Sequence, residues 1–158
     1  MIILGIDPGS RTTGYGLIKK DGRNLIHVDN GIISPPGKKP LSEKLQLISQ
    51  RLVEIIKEYK PTVAAIEEVF VANNARSALL LGHARGVAML AAANAGLEVY
   101  EYSARTVKQA LVGYGNADKN QVAQMVKITL KLPEVAAEDA ADALAVAICH
   151  AQTRLPRA

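Results

Sequence analysis

The sequence has one cysteine among its 158 residues, Cys149, and this scarcity excludes two common means of stabilisation. A single thiol cannot form an internal disulfide, and it has no partners for a cysteine-rich zinc site. We therefore expect Cys149 to be a small buried side chain. Long apolar runs are also missing, as are the basic and apolar segments of a secretion signal. These absences predict a cytoplasmic protein without a membrane partner.

Runs of basic residues are missing as well, because lysine and arginine are scattered along the chain. With 49% hydrophobic and 22% charged residues, the composition is that of an ordinary globular protein. Its length predicts one domain over residues 1–158. The sequence has 19 basic and 15 acidic residues, a net charge of +4. If four of the acids are gathered in one site, 11 acidic residues remain, and the rest of the surface has an excess of eight positive charges. Such a surface would attract a phosphate backbone.

The remaining chain is arranged around a short apolar stretch at its start. Residues Ile2 to Ile6 predict a buried strand, and Asp7 follows directly. The Pro8-Gly9 pair predicts that the backbone turns there, which places Asp7 at the carboxyl end of the strand. In open α/β sheets, ligands and metals bind at this edge. On this stretch alone, a turn-forming role for Asp7 is an equally good explanation.

The order of the other elements predicts an α/β fold with a mixed five-stranded sheet flanked by helices. A tight turn at Asp21-Gly22 joins the second and third strands into a hairpin. Three antiparallel strands are thus followed by parallel strands, and a long crossover returns the fourth strand beside the first. The further predicted strands are 12–20, 24–33, 63–66 and 98–104, and the helices are 41–59, 76–95, 104–113, 121–132 and 138–151.

Acidic residues recur where the predicted elements converge. Glu67 and Glu68 end the fourth strand, and Asp139 and Asp142 are three residues apart on one face of the last helix. Acids in a first helical turn also complement the helix dipole, but two aspartates on a common face among alanines favour a site. Crowded carboxylates repel unless a cation binds between them, and oxygen ligands alone suit Mg²⁺ or Mn²⁺. Two such ions about 3.5–4 Å apart can support phosphodiester hydrolysis.

Five stretches closely resemble the RuvC family of Holliday junction resolvases, within the ribonuclease H-like superfamily. They are LGIDPGSRTTGYG, AIEEVF, RSALLLGHARGVA, TVKQALVGYGNADKNQV and EDAADALA, and the resemblance extends over essentially the whole chain. It implies a ribonuclease H-like fold with a metal-binding catalytic tetrad of Asp7, Glu67, Asp139 and Asp142. Glu68 and Glu138 adjoin these motifs but do not match tetrad positions.

The resemblance also implies DNA contacts. An aromatic residue at Phe70 would stack on bases near the junction crossover, although core packing is an equally good explanation. Lys108 and Lys119 match basic positions near the scissile phosphates, and both would otherwise be interpreted as surface lysines. Further candidates for phosphate contact are Arg76, Arg85 and Arg105. The histidines are not expected to serve the site: His150 lies about 12 Å along the helix from Asp142, and His27 and His83 have no spaced partners.

The activity implied by the resemblance is that of a magnesium-dependent endodeoxyribonuclease that resolves four-way DNA junctions during recombination and repair. Two Mg²⁺ ions per subunit, with Mn²⁺ as a substitute, would promote symmetric cuts that leave 5′-phosphate and 3′-hydroxyl ends. A homodimer would present two equivalent sites to a junction. The helix over 76–95 is a candidate for its interface, with packing on its own sheet as an equal alternative. Further implied partners are the RuvA and RuvB branch-migration proteins.

Two other functions share parts of this pattern. An ATP-binding protein of the actin and Hsp70 class also has a first strand that ends in an acid and a glycine-containing loop. Such proteins use two domains, however, and the acidic last helix would be unexplained. A YqgF-like RNA-processing nuclease would have the same sheet with different chemistry.

Overall fold

The computed structural model describes residues 1–68 and 74–153, which form five strands and five helices. Phe70 lies outside the described residues. The strands are β1 (Ile2–Pro8), β2 (Thr13–Asp21), β3 (Asn24–Ile33), β4 (Val63–Glu67) and β5 (Glu98–Tyr102). The helices are α1 (Leu41–Tyr59), α2 (Ala75–Asn94), α3 (Ala104–Val112), α4 (Lys119–Leu130) and α5 (Glu138–Gln152).

The five strands form one mixed sheet in the order β3-β2-β1-β4-β5. β1 is central, with β2 antiparallel on one side and β4 parallel on the other. β3 is antiparallel to β2, and β5 is parallel to β4. This arrangement confirms the predicted mixed sheet and the return of the fourth strand beside the first. Because Ile6 lies opposite Ile66, Asp7 and Glu67 follow at the same edge of the sheet.

Two details of the predicted hairpins were wrong. β1 does not stop at Asp7, since Asp7 pairs with Gly14 and Pro8 with Thr13 of β2. Proline is tolerated there because the pairing of β1 with β4 has already ended at Ile6. The second hairpin turns one residue later than predicted.

The turn of that second hairpin consists of Gly22 and Arg23, because Asp21 still pairs with Asn24. Gly22 has a φ of 61°, which glycine adopts without a steric penalty.

α4 begins two residues earlier than predicted, at Lys119. The Asp118 side chain accepts a hydrogen bond from the Gln121 amide, and the Gln121 side chain accepts one from the Asp118 amide, which forms a capping box.

Helices cover both faces of the sheet. α1 and α2 pack on one face, against side chains such as Leu4 and Ile6 of β1, and α3, α4 and α5 pack on the other, where Ile3 points. α5 is central to this second layer and is buried from Ala143 to Ala151. Cys149 lies in that core, as predicted. Within residues 1–68 and 74–153, no helix combines the length with the hydropathy of a bilayer-spanning segment.

Candidate active site

A cavity of about 370 Å³ opens at the carboxyl ends of β1 and β4. Asp7 of β1 and Glu67 of β4 line it from the sheet, because adjacent parallel strands end at the same edge. Asp139 and Asp142 line it from the first turns of α5. The structure therefore brings together all four acids that sequence reasoning selected. Glu68, the next residue after Glu67, is not among the lining residues that the structure describes.

The three aspartates form the tightest part of this acidic group. Asp7, Asp139 and Asp142 each present one carboxylate oxygen, and these three oxygens lie within 4.8 Å of one another. Asp139 and Asp142 share a helical face because three residues correspond to nearly one turn. Glu67 lines the same cavity but stands outside this closer triad.

The approach of α5 to the sheet depends on glycines in β1 and β2 that sequence reasoning did not select. A Cβ atom on Gly5 would lie 1.9 Å from the Ala143 carbonyl oxygen, and one on Gly14 would lie 2.0 Å from the Asp139 carbonyl oxygen. A Cβ atom on Gly16 would lie 2.6 Å from a side-chain carbon of Leu144. The close contact therefore depends on small residues on both sides, the alanines of α5 and the glycines of the two strands.

A signal for these glycines was present in the sequence. Gly14 and Gly16 alternate along β2, so they lie on one face of the sheet, and Gly5 pairs directly with Gly16. Glycine inside a strand often marks the close approach of another backbone. Thr12 was also missed: its hydroxyl donates a hydrogen bond to the Asp139 carboxylate, although a threonine in a loop carries no such indication by itself.

The acidic group carries an unfavourable density of negative charge. The pKa of Asp7 is raised from 3.8 to about 8, first by burial and then by the neighbouring Asp142, Asp139 and Glu67 carboxylates. Burial and the charge of Asp142 also raise the pKa of Glu67. A bound cation would reverse this effect, because it stabilises the ionised carboxylates. Since every donor is a carboxylate oxygen, the site fits a hard divalent cation.

Two lysines oppose the acids across the cavity. Lys119, the first residue of α4, places its Nζ atom 2.8 Å from Glu138 and 3.9 Å from Asp142. The ion pair with Lys119 holds the pKa of Glu138 below its ordinary value. Lys108 of α3 also lines the cavity, and its charge opposes the upward shifts in the pKa values of Glu67 and Asp142. Both predicted lysines therefore lie at the acidic site.

The arginines predicted to contact phosphate lie elsewhere in the described structure. Arg85 is paired with Glu101 of β5 and contacts the sulfur of Met89 at 3.0 Å, so it serves an internal contact. The side chain of Arg105 lies against Gly115. Arg76 is exposed in the first turn of α2 and is not among the cavity's lining residues that the structure describes.

Two of the three histidines, His150 and His27, occupy structural positions. Nδ1 of His150 lies 2.6 Å from the hydroxyl of Tyr102 in the core, and its ring packs 4.6 Å from that of Tyr100. Burial lowers the pKa of His150. Nε2 of His27 lies 2.7 Å from Nδ2, the side-chain amide nitrogen, of Asn30.

A mixed five-stranded sheet with clustered carboxylates at the ends of β1 and β4 and on the facing helix defines a protein of the ribonuclease H-like class. The family model described as "Crossover junction endodeoxyribonuclease RuvC" matches residues 3–150. The chain therefore belongs to the RuvC family.

Individual relatives agree with this membership. The chain is 62% identical over 153 residues to the crossover junction endodeoxyribonuclease RuvC of Citrifermentans bemidjiense, covering 97% of this chain and 93% of that protein. It is also 62% identical over 151 residues to the RuvC of Syntrophotalea carbinolica, covering 96% and 94%. The solved structure of Thermus thermophilus RuvC in complex with Holliday junction substrate superposes with a TM-score of 0.90 at 35% identity, covering 96% of this chain and 93% of that one. Neither the actin and Hsp70 alternative nor the YqgF-like alternative is supported by these matches.

Proposed function

We propose that this protein is a structure-selective endodeoxyribonuclease that resolves four-way (Holliday) DNA junctions by paired symmetric cuts during recombination and repair. The observation that carries the proposal is the meeting of Asp7, Asp139 and Asp142 within 4.8 Å in a chain of the RuvC family. A relative with 35% identity has been solved with such a junction, and its fold covers nearly the whole of this chain.

The catalytic and metal-binding residues in this proposal are Asp7, Glu67, Asp139 and Asp142. The chemistry supplied by two bound Mg²⁺ ions, for which Mn²⁺ can substitute, is activation of the attacking water and stabilisation of the departing 3′ oxygen, which leaves 5′-phosphate and 3′-hydroxyl ends. The role of the protein is to hold four carboxylates from a rigid sheet edge and a rigid helix. The raised pKa of Asp7 means that the metal-free site retains a proton near neutral pH, which cation binding would displace.

The two cavity lysines are proposed to act on the scissile phosphate. The Lys119 side chain is 71% exposed, so its ammonium group can leave Glu138 and reach a phosphate oxygen at the mouth of the cavity. Lys108 stands on the adjoining helix and lines the same space. Positive charge at this position would stabilise the extra negative charge of the transition state. Arg76 is proposed to contact the DNA backbone from its exposed position, and Phe70 to stack on bases near the crossover.

We further propose that the protein acts as a homodimer. Two symmetry-related copies would place equivalent sites on two strands of a junction, which has matching symmetry. α2 is the candidate interface, because Leu79 and Leu90 on this helix are 66% and 59% exposed. An isolated chain would leave these side chains in water, whereas a dimer can bury them.

The biological setting follows from family membership. We propose a bacterial cytoplasmic location, one nuclease domain that extends over residues 1–158, and cooperation with the RuvA and RuvB branch-migration proteins. Co-purification of the tagged chain with RuvA or RuvB on junction DNA would test the partnership directly.

The central experiment compares cleavage of a synthetic four-way junction in Mg²⁺ and in EDTA. Wild-type protein should make paired symmetric nicks in Mg²⁺ alone and leave a linear duplex of the same sequence intact. Asp139→Asn should bind the junction but not cut it, because it removes one oxygen donor. Glu68→Gln is the matched control, since Glu68 follows Glu67 but is not one of the cavity-lining residues in the described part of the chain. Nicking by Asp139→Asn, or nicking in EDTA, would contradict the proposed mechanism.

A further inference from the structure

The loop between β1 and β2 brings a hydroxyl group to the acidic site. Pro8 pairs with Thr13, so residues 9–12 form a four-residue connection. A Cβ atom on Gly9 would lie 2.3 Å from the carbonyl oxygen of Thr12, so the loop can fold back this tightly because residue 9 is glycine. The fold places the Thr12 hydroxyl against α5, where it donates a hydrogen bond to Oδ2 of Asp139.

Asp139 is consequently held at two points by the same hairpin. Its backbone carbonyl rests on Gly14 of β2, and its side chain accepts the hydrogen bond from Thr12. A carboxylate in the first turn of a helix can otherwise rotate about its side-chain bonds, and its two oxygens exchange places. The hydrogen bond to Oδ2 restricts this rotation and fixes the orientation of the carboxylate, one oxygen of which lies within 4.8 Å of oxygens of Asp7 and Asp142.

We propose that Thr12 is a positioning residue for the metal site, which orients the Asp139 carboxylate through its hydroxyl group. This inference rests on the proposed function, because it concerns the same cation. Carboxylates that bind metals are commonly hydrogen-bonded by a second layer of residues, and losing such a partner typically weakens metal binding or activity by about 10- to 100-fold. Thr12 supplies that second layer from the β1–β2 loop.

The adjacent residue provides a matched control. Thr13 is fully buried, and within residues 1–68 and 74–153 its hydroxyl makes no hydrogen bond. Exchange of threonine for valine removes the hydroxyl and keeps the shape at either position. Thr12→Val deletes the bond to Asp139, whereas Thr13→Val deletes a hydroxyl that is not directed at the carboxylate. Thr12→Ser restores the hydroxyl without the methyl group.

The test measures the binding of Mn²⁺ alone, without DNA, by electron paramagnetic resonance of the free ion. Thr12→Val should raise the apparent Kd for Mn²⁺ by about 10- to 100-fold, and the Mg²⁺ concentration that gives half-maximal junction cleavage should rise by a similar factor. Thr12→Ser and Thr13→Val should remain within about threefold of wild type. The melting temperature of Thr12→Val in EDTA should match that of wild type, since Thr12 lies in a partly exposed loop.

Equal Mn²⁺ binding by Thr12→Val and wild type would overturn the inference. So would a Thr12→Ser variant as impaired as Thr12→Val, because the effect would then belong to the methyl group. If Thr12→Val fails to fold, Thr12→Ala is judged by the same criteria. Failure of the proposed function would be seen separately, as a wild-type protein that neither binds Mn²⁺ nor nicks the junction.

Discussion

The carbonyl oxygen of Asp139 lies 2.0 Å from the position that a Cβ atom on Gly14 would occupy. Such a distance is far below any normal contact, so β2 and the first turn of α5 can meet only where residue 14 lacks a side chain. Gly14 is also the pairing partner of Asp7 on β1. Gly14 therefore links the spacing of the acid on the sheet to that of the acids on the helix.

Gly14→Ala should disrupt both the fold and the site. The added methyl group must displace backbone atoms of α5, and such overpacking costs about 1–3 kcal/mol or more of unfolding free energy. Because the displaced atoms belong to Asp139, we expect cleavage of a four-way junction to be lost even at temperatures where the variant is folded. Urea unfolding and a junction-nicking assay measure the two effects.

Gly37→Ala is the control, with the opposite expected sign. Gly37 lies in the loop between β3 and α1, and a Cβ atom built on it meets nothing within 4 Å. At such a position alanine stabilises by about 0.4–1 kcal/mol relative to glycine, because it restricts the conformations of the unfolded chain. Normal cleavage by Gly14→Ala would contradict the assigned role of the contact.

Asp7→Asn should stabilise the metal-free protein while it abolishes cleavage. The folded state raises the pKa of Asp7 from 3.8 to about 8, so between these values the folded protein retains a proton that the unfolded chain has lost. Stability that is fully present below pH 3.8 must therefore decline as the pH rises toward 8. The asparagine variant should show a smaller decline, because burial still raises the pKa values of Glu67 and Asp142, and it should gain on the order of a few kcal/mol at pH 7.

Thermal melts in EDTA across pH 4–8 measure this difference. Mg²⁺ should raise the Tm of wild type at pH 8 and have little effect on Asp7→Asn, since the cation favours the ionised carboxylate. A wild-type stability that rises with pH over this range in EDTA would show that the carboxylates are not crowded as described.

Lys119→Gln should slow junction cleavage by about 100-fold, the usual order for the loss of one group that stabilises a transition-state charge. It removes an ammonium group 3.9 Å from Asp142. Lys127→Gln is the matched control, because Lys127 lies two turns further along α4 and is not among the described residues that line the cavity. Single-turnover cleavage rates with saturating junction distinguish the two. Equal rates for both variants would show that Lys119 is an ordinary surface lysine without a role in cleavage.

The order of elements and the acidic site could be predicted because each depends on local signals. The first strand as far as Asp7, the crossover helix and the paired acids of α5 follow from hydrophobic periodicity and turn residues. The 3.6-residue period also placed Asp139 and Asp142 on one face.

Contacts between distant elements could not be predicted in the same way. The hydrogen bond from Thr12 to Asp139 joins residues 127 positions apart, and no periodicity encodes it. The ion pair between Arg85 and Glu101 likewise depends on how α2 lies beside β5. Glycines such as Gly14 have no side chain whose burial a pattern could reveal. β1 continues through Pro8 because its pairing with β2 extends that far, whereas its pairing with β4 ends at Ile6. The sequence of β1 alone does not show where its neighbours end.

Tyr102→Phe should weaken the fold without altering the chemistry. The Tyr102 hydroxyl lies 2.6 Å from Nδ1 of His150 in the core, where both side chains are buried. Removal of the hydroxyl leaves a buried nitrogen without its partner, which costs about 1–3 kcal/mol of unfolding free energy. Tyr114→Phe is the control, since Tyr114 is 43% exposed and water can replace its hydrogen bond with Gln121.

The site should tolerate the loss of that bond, because His150 lies eight positions beyond Asp142 in α5, about 12 Å along the helix. We therefore expect Tyr102→Phe to lower the urea midpoint and leave the single-turnover cleavage rate within about twofold of wild type. A cleavage rate that falls while the protein remains folded would mean that the hydrogen bond between Tyr102 and His150 helps to position the acids of the site. The distance from Thr12 and Gly14 argues against this outcome, since those residues fix the opposite end of the helix.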